Sequence, residues 1–207
     1  MSQHDDFWKI AWDEGRTRFH QPEVNPVLTK YLEPNETKSC LVPLCGKSLD
    51  LLYLAEKFDK VVGVEMVEKP IVQFFEENNI PFEKDGDVFR SEKIDLFMGD
   101  FINNPYPHIE KFDYIYDRAS MVAIEEKYRP AYVQRIQNYM HDTSVLQLIT
   151  FEREELGGGP PFDITNDEVQ NSYADFQINL KKEEKREFVT SKGEEAKVFR
   201  RVYRIFK

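Results

Sequence analysis

The sequence predicts a Rossmann-like α/β fold: a mostly parallel sheet with helices on both faces and an antiparallel strand added at the C-terminal end. Three observations predict it. Two short apolar runs, Cys40–Leu44 and Val61–Val64, have the pattern of strands buried on both faces, and Ile94–Met98 and Ser144–Phe151, each with polar interruptions, read as further core strands. Stretches with apolar residues at helical spacing alternate with those runs, which is the layout of βαβ units. The last segments, Phe176–Leu180 and Val198–Phe206, instead alternate apolar and polar residues as antiparallel strands do.

At 207 residues the chain reads as one domain, with residues 1–37 as an N-terminal helical lid and 38–151 as the Rossmann-like core. Residues 152–207 carry a loop, a helix and the antiparallel strands. A 41% hydrophobic and 14% aromatic composition suits a globular core, and the net charge of −10 argues against nucleic-acid and anionic-membrane partners. No opening segment reads as a signal peptide and no apolar run is long enough to span a bilayer, so the expected location is cytosolic. The two cysteines, Cys40 in a strand and Cys45 in a turn, form neither a disulfide framework nor a metal set.

Residues 5–20, DDFWKIAWDEGRTRFH, hold Phe7, Trp8, Trp12 and Phe19 ahead of the first strand. So many large apolar groups either staple a helix to the core or form a lid whose rings stack on a ligand, hinged at Gly15 and Arg16. Asn25–Leu32 is a helix opened by Pro26 and followed by Pro34.

The chain is organised around Ser39–Glu65. An apolar strand runs into a turn at Gly46, where a residue without Cβ suits a sharp change of direction. A helix follows, with Leu49, Leu51, Leu52, Leu54 and Ala55 facing inward and Asp50, Glu56 and Lys57 facing water. A second strand then ends on Glu65. A glycine turn with an acid about 20 residues on is the layout that holds an adenosine ribose, the carboxylate accepting from both hydroxyls. A dinucleotide fingerprint has three glycines where Leu44-Cys45-Gly46-Lys47-Ser48 has one. S-adenosylmethionine has the ribose and adenine without phosphate and fits this turn better.

Beyond it, Lys69–Asn78 is a helix opened by Pro70, and Phe82–Ser91 reads as a short hairpin. Asp100, just past the third core strand, either accepts from an adenine amino group or caps its own turn. Lys111–Arg118 is the fourth core strand; Asp117 and Arg118 at its end either pair in the loop or present the arginine's planar fork to a ligand. Glu125–Met140 is a helix interrupted near Pro130, and Ser144–Phe151 is the fifth core strand. Glu152–Phe162, EREELGGGPPF, joins a flexible hinge to a stiff one at a strand's C-terminal end, where loops close over substrates. Thr165 and Glu168 form a capping box, and the charged run KKEEKRE between the last two strands reads as a solvated face.

Taken together, WDEGRTRFHQ (12–21), PLCGKSLD (43–50), VVGVE (61–65), FDYIYDRASMVAI (112–124) and GPPF (159–162) resemble the thiopurine S-methyltransferase family of class I methyltransferases dependent on S-adenosylmethionine. The resemblance covers Trp12 to Phe162 and is loose beyond. It implies that Leu44 and Gly46 lie at the cofactor's backbone contact, that Glu65 binds the ribose, and that Asp100 and Phe101 flank adenine. Trp8, Trp12 and Phe19 become an aromatic lid, with Phe19 touching the methyl acceptor, and Pro160 and Pro161 line a substrate loop. Arg118 is the catalytic candidate, contacting cofactor and acceptor; Arg186 is the nearest match to a late basic residue of the family. No metal is implied, and a monomer is expected.

The activity this implies is direct methyl transfer to a small thiol such as a thiopurine or aromatic thiol. The alternatives are selenium, tellurium or halide acceptors, or a metabolite oxygen or nitrogen. From other classes come an NAD-dependent oxidoreductase and a non-catalytic S-adenosylmethionine-binding protein.

Overall fold

In a computed structural model the chain forms two compact units, Met1–Glu110 and Lys111–Lys207. The structure describes residues 3–17, 19–33, 38–104, 106, 110–154, 158–189 and 195–207. Pro34, Arg18 within the aromatic segment and Gly157 within the glycine run lie outside the described residues.

The first unit contains α1 (Gln3–Asp13), α2 (Pro26–Tyr31), β1 (Ser39–Pro43), α3 (Asp50–Lys57), β2 (Lys60–Glu65) and α4 (Glu68–Glu77), followed by β3 (Glu83–Asp85), β4 (Val88–Arg90) and β5 (Ile94–Met98). Its strands lie in the order β3-β4-β5-β2-β1. The three apolar runs, β1, β2 and β5, are parallel. Nearly every residue of these strands is buried, as continuous apolar strands require. The 82–91 segment is a hairpin, as expected, with Gly86 at φ +59 supplying the positive φ of a tight turn. It pairs antiparallel to β5, so the antiparallel additions are not confined to the C-terminal end.

The second unit contains β6 (Phe112–Arg118), α5 (Arg129–Asn138), β7 (Met140–Arg153), α6 (Asn166–Ser172), β8 (Gln177–Val189) and β9 (Glu195–Phe206), ordered β6-β7-β9-β8. β6 and β7 are parallel, and β9 is antiparallel to both β7 and β8. Pro130 sits in the first turn of α5, where its missing N–H costs nothing, and a 3₁₀ turn at Glu126–Tyr128 precedes it. Thr165 caps α6 by accepting from the Glu168 N–H at 3.0 Å. Together these strands and helices form a Rossmann-like α/β fold.

Two expectations are corrected. The KKEEKRE run is largely exposed, as a solvated face is, but it does not separate two strands: it is itself the middle of β8, and Lys182–Glu187 pair with β9 after a register shift at Lys181. Alternating opposite charges let it do both jobs. Lys182 and Arg186 flank Glu184 at 2.8 and 2.7 Å, and their hydrogen bonds hold its carboxyl down at about 2. Such charges on an edge strand also discourage pairing with another chain. The second correction is Asp50, expected on the wet side of α3 and only 1% exposed. No helix among the described residues is long and apolar enough to cross a membrane.

Candidate functional site

In the first unit the C-terminal ends of β1 and β2 are stitched together around Glu65. The Cys45 N–H donates to the Val64 carbonyl at 3.0 Å, and the Gly99 N–H, just past β5, donates to the Glu65 carbonyl at 2.9 Å. The Glu65 side chain turns back under the β1–α3 turn. Its Oε2 accepts from the Gly46 N–H at 3.0 Å and its Oε1 from the Val67 N–H at 2.9 Å. A carboxylate has about four acceptor positions, so capacity remains for the hydroxyl donors of a ribose. Burial pushes this carboxyl up to about 7 against the opposing pull of those backbone donors. An acid held so close to neutrality in a polar cradle is a functional-site candidate.

The turn itself is strained where the resemblance puts the cofactor contact. Leu44 has φ +47, a left-handed conformation uncommon for a leucine. Gly46 has φ +53, and a Cβ there would meet the Trp12 indole at 3.0 Å. Trp12 is buried, and Phe19 packs edge-on against both Trp12 and Trp8, with ring centroids 5.3 and 5.5 Å apart. The N-terminal aromatics thus cover the Gly46 turn. Trp12 is the fixed member, and Lys69 Nζ donates to its carbonyl oxygen at 3.1 Å; Trp8 and Phe19 are half-buried.

Cys45 has a packing role. Its Sγ lies 2.7 Å from where a Gly63 Cβ would stand, on the interior of β2. Burial and then the Glu65 charge push its thiol well up, which removes it as a nucleophile. Asp100 accepts from the backbone N–H groups of Ile102 and Asn103 at 2.8 and 3.1 Å and from the Asn103 side chain at 2.6 Å. Those bonds are the turn-capping role its position also allowed. Phe101 beside it is buried.

In the second unit, Arg118 is half-buried at the C-terminal end of β6, followed by Ala119 at φ +61. Asp117 does not sit in a surface loop as half of an exposed pair. It is 0% exposed, with its carboxylate accepting from the Met121 N–H at 3.1 Å and the Tyr132 hydroxyl at 2.8 Å, and burial raises its carboxyl to about 6. Pro160 and Pro161 follow two cis peptide bonds. Their loop is tied at its base: Arg153 binds the Asp163 carboxylate and the Pro161 carbonyl, and the Phe162 N–H donates to the Val122 carbonyl at 2.6 Å. The Phe162 ring covers Gly159, where a Cβ would meet it at 2.2 Å. Arg186 is exposed and paired with Glu184.

Sequence reasoning missed Arg153 and Asp50. An acid ten residues from Arg153 is a weak signal for the first, and nothing in the helical pattern signals the burial of the second.

The model of the family described as thiopurine S-methyltransferase (TPMT) matches residues 3–206. The chain belongs to the thiopurine S-methyltransferase family. Within that family it is 36% identical over 195 residues to the thiopurine S-methyltransferase of Legionella pneumophila (strain Corby), covering 90% of this chain and 88% of the relative. It is 38% identical over 190 residues to that of Shewanella woodyi (strain ATCC 51908 / MS32), covering 84% of each. Its fold matches the Burkholderia thailandensis 1,6-didemethyltoxoflavin-N1-methyltransferase, solved with S-adenosylhomocysteine and 1,6-didemethyltoxoflavin bound. That match has a TM-score of 0.62 at 15% identity, over 99% of this chain and 87% of that one. Membership of the thiopurine S-methyltransferase family makes this protein an S-methyltransferase dependent on S-adenosylmethionine.

Proposed function

We propose that the protein methylates small soft thiols, of the thiopurine or aromatic thiol class, and that residues 44–65 hold the methyl donor. The observation that carries this reading is the buried Glu65 carboxylate bonded to the Gly46 turn beneath an aromatic cover. Such a cradle suits a ribose and a flat base and supplies no cluster of donors for phosphate.

When bound, S-adenosylmethionine would supply an electrophilic methyl group on a sulfonium, the donor's S–CH3 bond breaking as the acceptor's forms, so that the rest of the donor leaves as a neutral thioether. The chain then has to align and desolvate. Glu65 fixes the ribose hydroxyls, the Leu44–Gly46 backbone lies against the donor, and Phe101 and Asp100 flank the base. Trp8, Trp12 and Phe19 exclude water from above, which leaves a thiolate poorly hydrated and more reactive. Pro160 and Pro161 line the acceptor side, and Arg118 favours the anionic sulfur. A thiolate arrives already ionised, so no general base is assigned. The family match spans both compact units, which supports 1–207 acting as one functional domain; the reading includes a cytosolic monomer.

The test is S-adenosylhomocysteine production from S-adenosylmethionine with and without 6-mercaptopurine, with Glu65→Ala as control. Thiol-dependent product lost in the variant is the expected result. Binding without turnover moves the acceptor outside the thiopurine class, and no binding sinks the donor site. Arg118→Ala should lower kcat/KM for the thiol by about tenfold or more, the worth of one charge-assisted hydrogen bond. Its Tm should shift by less than about 2 °C, as for a surface-accessible change in a chain of this size. Unchanged kinetics would remove Arg118 from the site.

A further inference from the structure

Asp50 opens α3 and is 1% exposed, while Asn25 in front of it is 7% exposed. A buried carboxylate is costly unless bonded. Its Oδ1 accepts the Asn25 backbone N–H at 2.7 Å, and the first turn of a helix is a favourable place for its charge. The Asn25 side chain is engaged twice more. Its Oδ1 accepts from the Val27 N–H at 2.9 Å, capping α2, and its Nδ2 donates to Gln21 Oε1 at 3.1 Å. Asp50 therefore holds the point at which residues 21–27 are gathered.

The other end of the same stretch is held as well. The Trp12 indole lies against Gly46, and Lys69 secures the Trp12 carbonyl oxygen. Between these points, the described residues of 14–24 have no helix or strand. They turn at Gly15, with φ +69 and the Arg16 N–H returning to the Ala11 carbonyl at 2.8 Å. Phe19 rides on this strap with its ring edge-on to Trp8 and Trp12. A strap fixed at both ends presents Phe19 ready-placed; a strap freed at one end must be ordered each time a ligand binds, at a cost in conformational entropy.

We propose that Asp50 is a positioning residue for the methyl-donor site: by holding the Asn25 N–H it fixes the far end of the strap that follows α1, and with it Phe19 over the Gly46 turn. This rests on the reading of residues 44–65 as that site. Asp50 touches no reactant; it acts through Asn25 and Phe19.

The chain's two tryptophans, Trp8 and Trp12, both belong to this aromatic cluster, so tryptophan fluorescence, excited at the red edge where the chain's tyrosines do not absorb, reports on it alone. The experiment measures S-adenosylhomocysteine binding, acrylamide quenching and steady-state kinetics in wild type, Asp50→Ala and Asp50→Asn. Asp50→Ala should raise the Kd about tenfold, the scale of one hydrogen bond to a charged group, mainly through a faster off-rate. KM for S-adenosylmethionine should rise with it while kcat holds, and the tryptophans should become more quenchable. Asp50→Asn keeps an acceptor oxygen and should stay within about threefold of wild type, because a neutral acceptor retains most of the bond.

A lower Tm in Asp50→Ala with unchanged Kd and quenching would mean a purely structural role and overturn the proposal. Should that variant not fold, hydrogen exchange at the Asn25 amide of the wild-type chain decides. Exchange that slows on adding S-adenosylhomocysteine supports the coupling, and exchange that does not respond overturns it. Wild type that binds no S-adenosylhomocysteine overturns the donor-site reading and this inference together. Normal binding with an unaltered Asp50→Ala overturns this inference alone.

Discussion

Glu65→Ala should bind S-adenosylhomocysteine roughly 10²–10⁴-fold more weakly than wild type, the loss of two hydrogen bonds from hydroxyls to a charged acceptor at about 1.5–3 kcal/mol each. The same substitution leaves the Gly46 and Val67 N–H groups without the carboxylate that now accepts them, so the turn is loosened as well as emptied of its acceptor. Isothermal titration calorimetry measures the effect directly. A loss of less than about tenfold would mean that the ribose is held elsewhere.

The protonation of Glu65 makes a second measurement of the same group. Its carboxyl is raised to about 7 by burial, and a ribose diol donates to the ionised form. Binding therefore favours the deprotonated acid, and affinity should fall about tenfold per pH unit below about 7 until the bound-state pKa is reached. Folding responds in the opposite direction. A folded-state pKa raised above the unfolded value of 4.5 means stability that is fully present below that value. It is lost as pH rises through about 7. The stabilisation conferred by S-adenosylhomocysteine, read as a Tm difference with and without ligand, should accordingly grow from pH 6 and level off by pH 8, as the proton released on binding falls from about one below the Glu65 pKa to almost none above it. A ligand-induced shift that is flat across that range would mean that Glu65 is not the ribose acceptor.

The second large effect is on folding. Gly63→Ala should lower the Tm by about 4–12 °C, the consequence of about 2–3 kcal/mol of overpacking in a chain of this length. Gly63 is an interior residue of β2, paired with Val42 on one side and Leu96 on the other. A Cβ there would stand 2.5 Å from Leu96 Cδ2 and 2.7 Å from Cys45 Sγ. Both neighbours are buried, so neither can swing into solvent to make room. Because Cys45 belongs to the turn that Glu65 supports, relief of the clash would displace that turn. Gly63→Ala should therefore weaken S-adenosylhomocysteine binding as well, even at temperatures where the variant is folded. Circular dichroism melts give the first effect and calorimetry the second; a Tm within about 2 °C of wild type would show that the core yields there more readily than its close packing suggests.

Local signals carried the sequence reading where the chemistry is local. The apolar runs, the Gly46 turn, the Thr165 cap and the proline at the start of α5 each act through neighbours in the chain, so their residue types sufficed; the Glu168 half of the expected capping box does not form, because its carboxylate binds the distant Arg129 instead. The Gly46–Glu65 relation was also legible, because a βαβ unit returns its second strand beside its first at a set spacing and the bond between them follows.

What the sequence by itself determined is thus the order of strands and helices, the βαβ unit ending on a buried acid, and the family to which the whole pattern points. Only the tertiary structure decided that Asp50 and Asp117 are buried and bonded, that Arg153 ties down the proline loop, that Gly63 is required by a cysteine in another element, and that β8 is a strand built from charges. The physical reason is the same in each case. Whether a polar side chain faces water or a partner depends on what long-range folding brings against it, and helical or strand periodicity records only which way the chain turns.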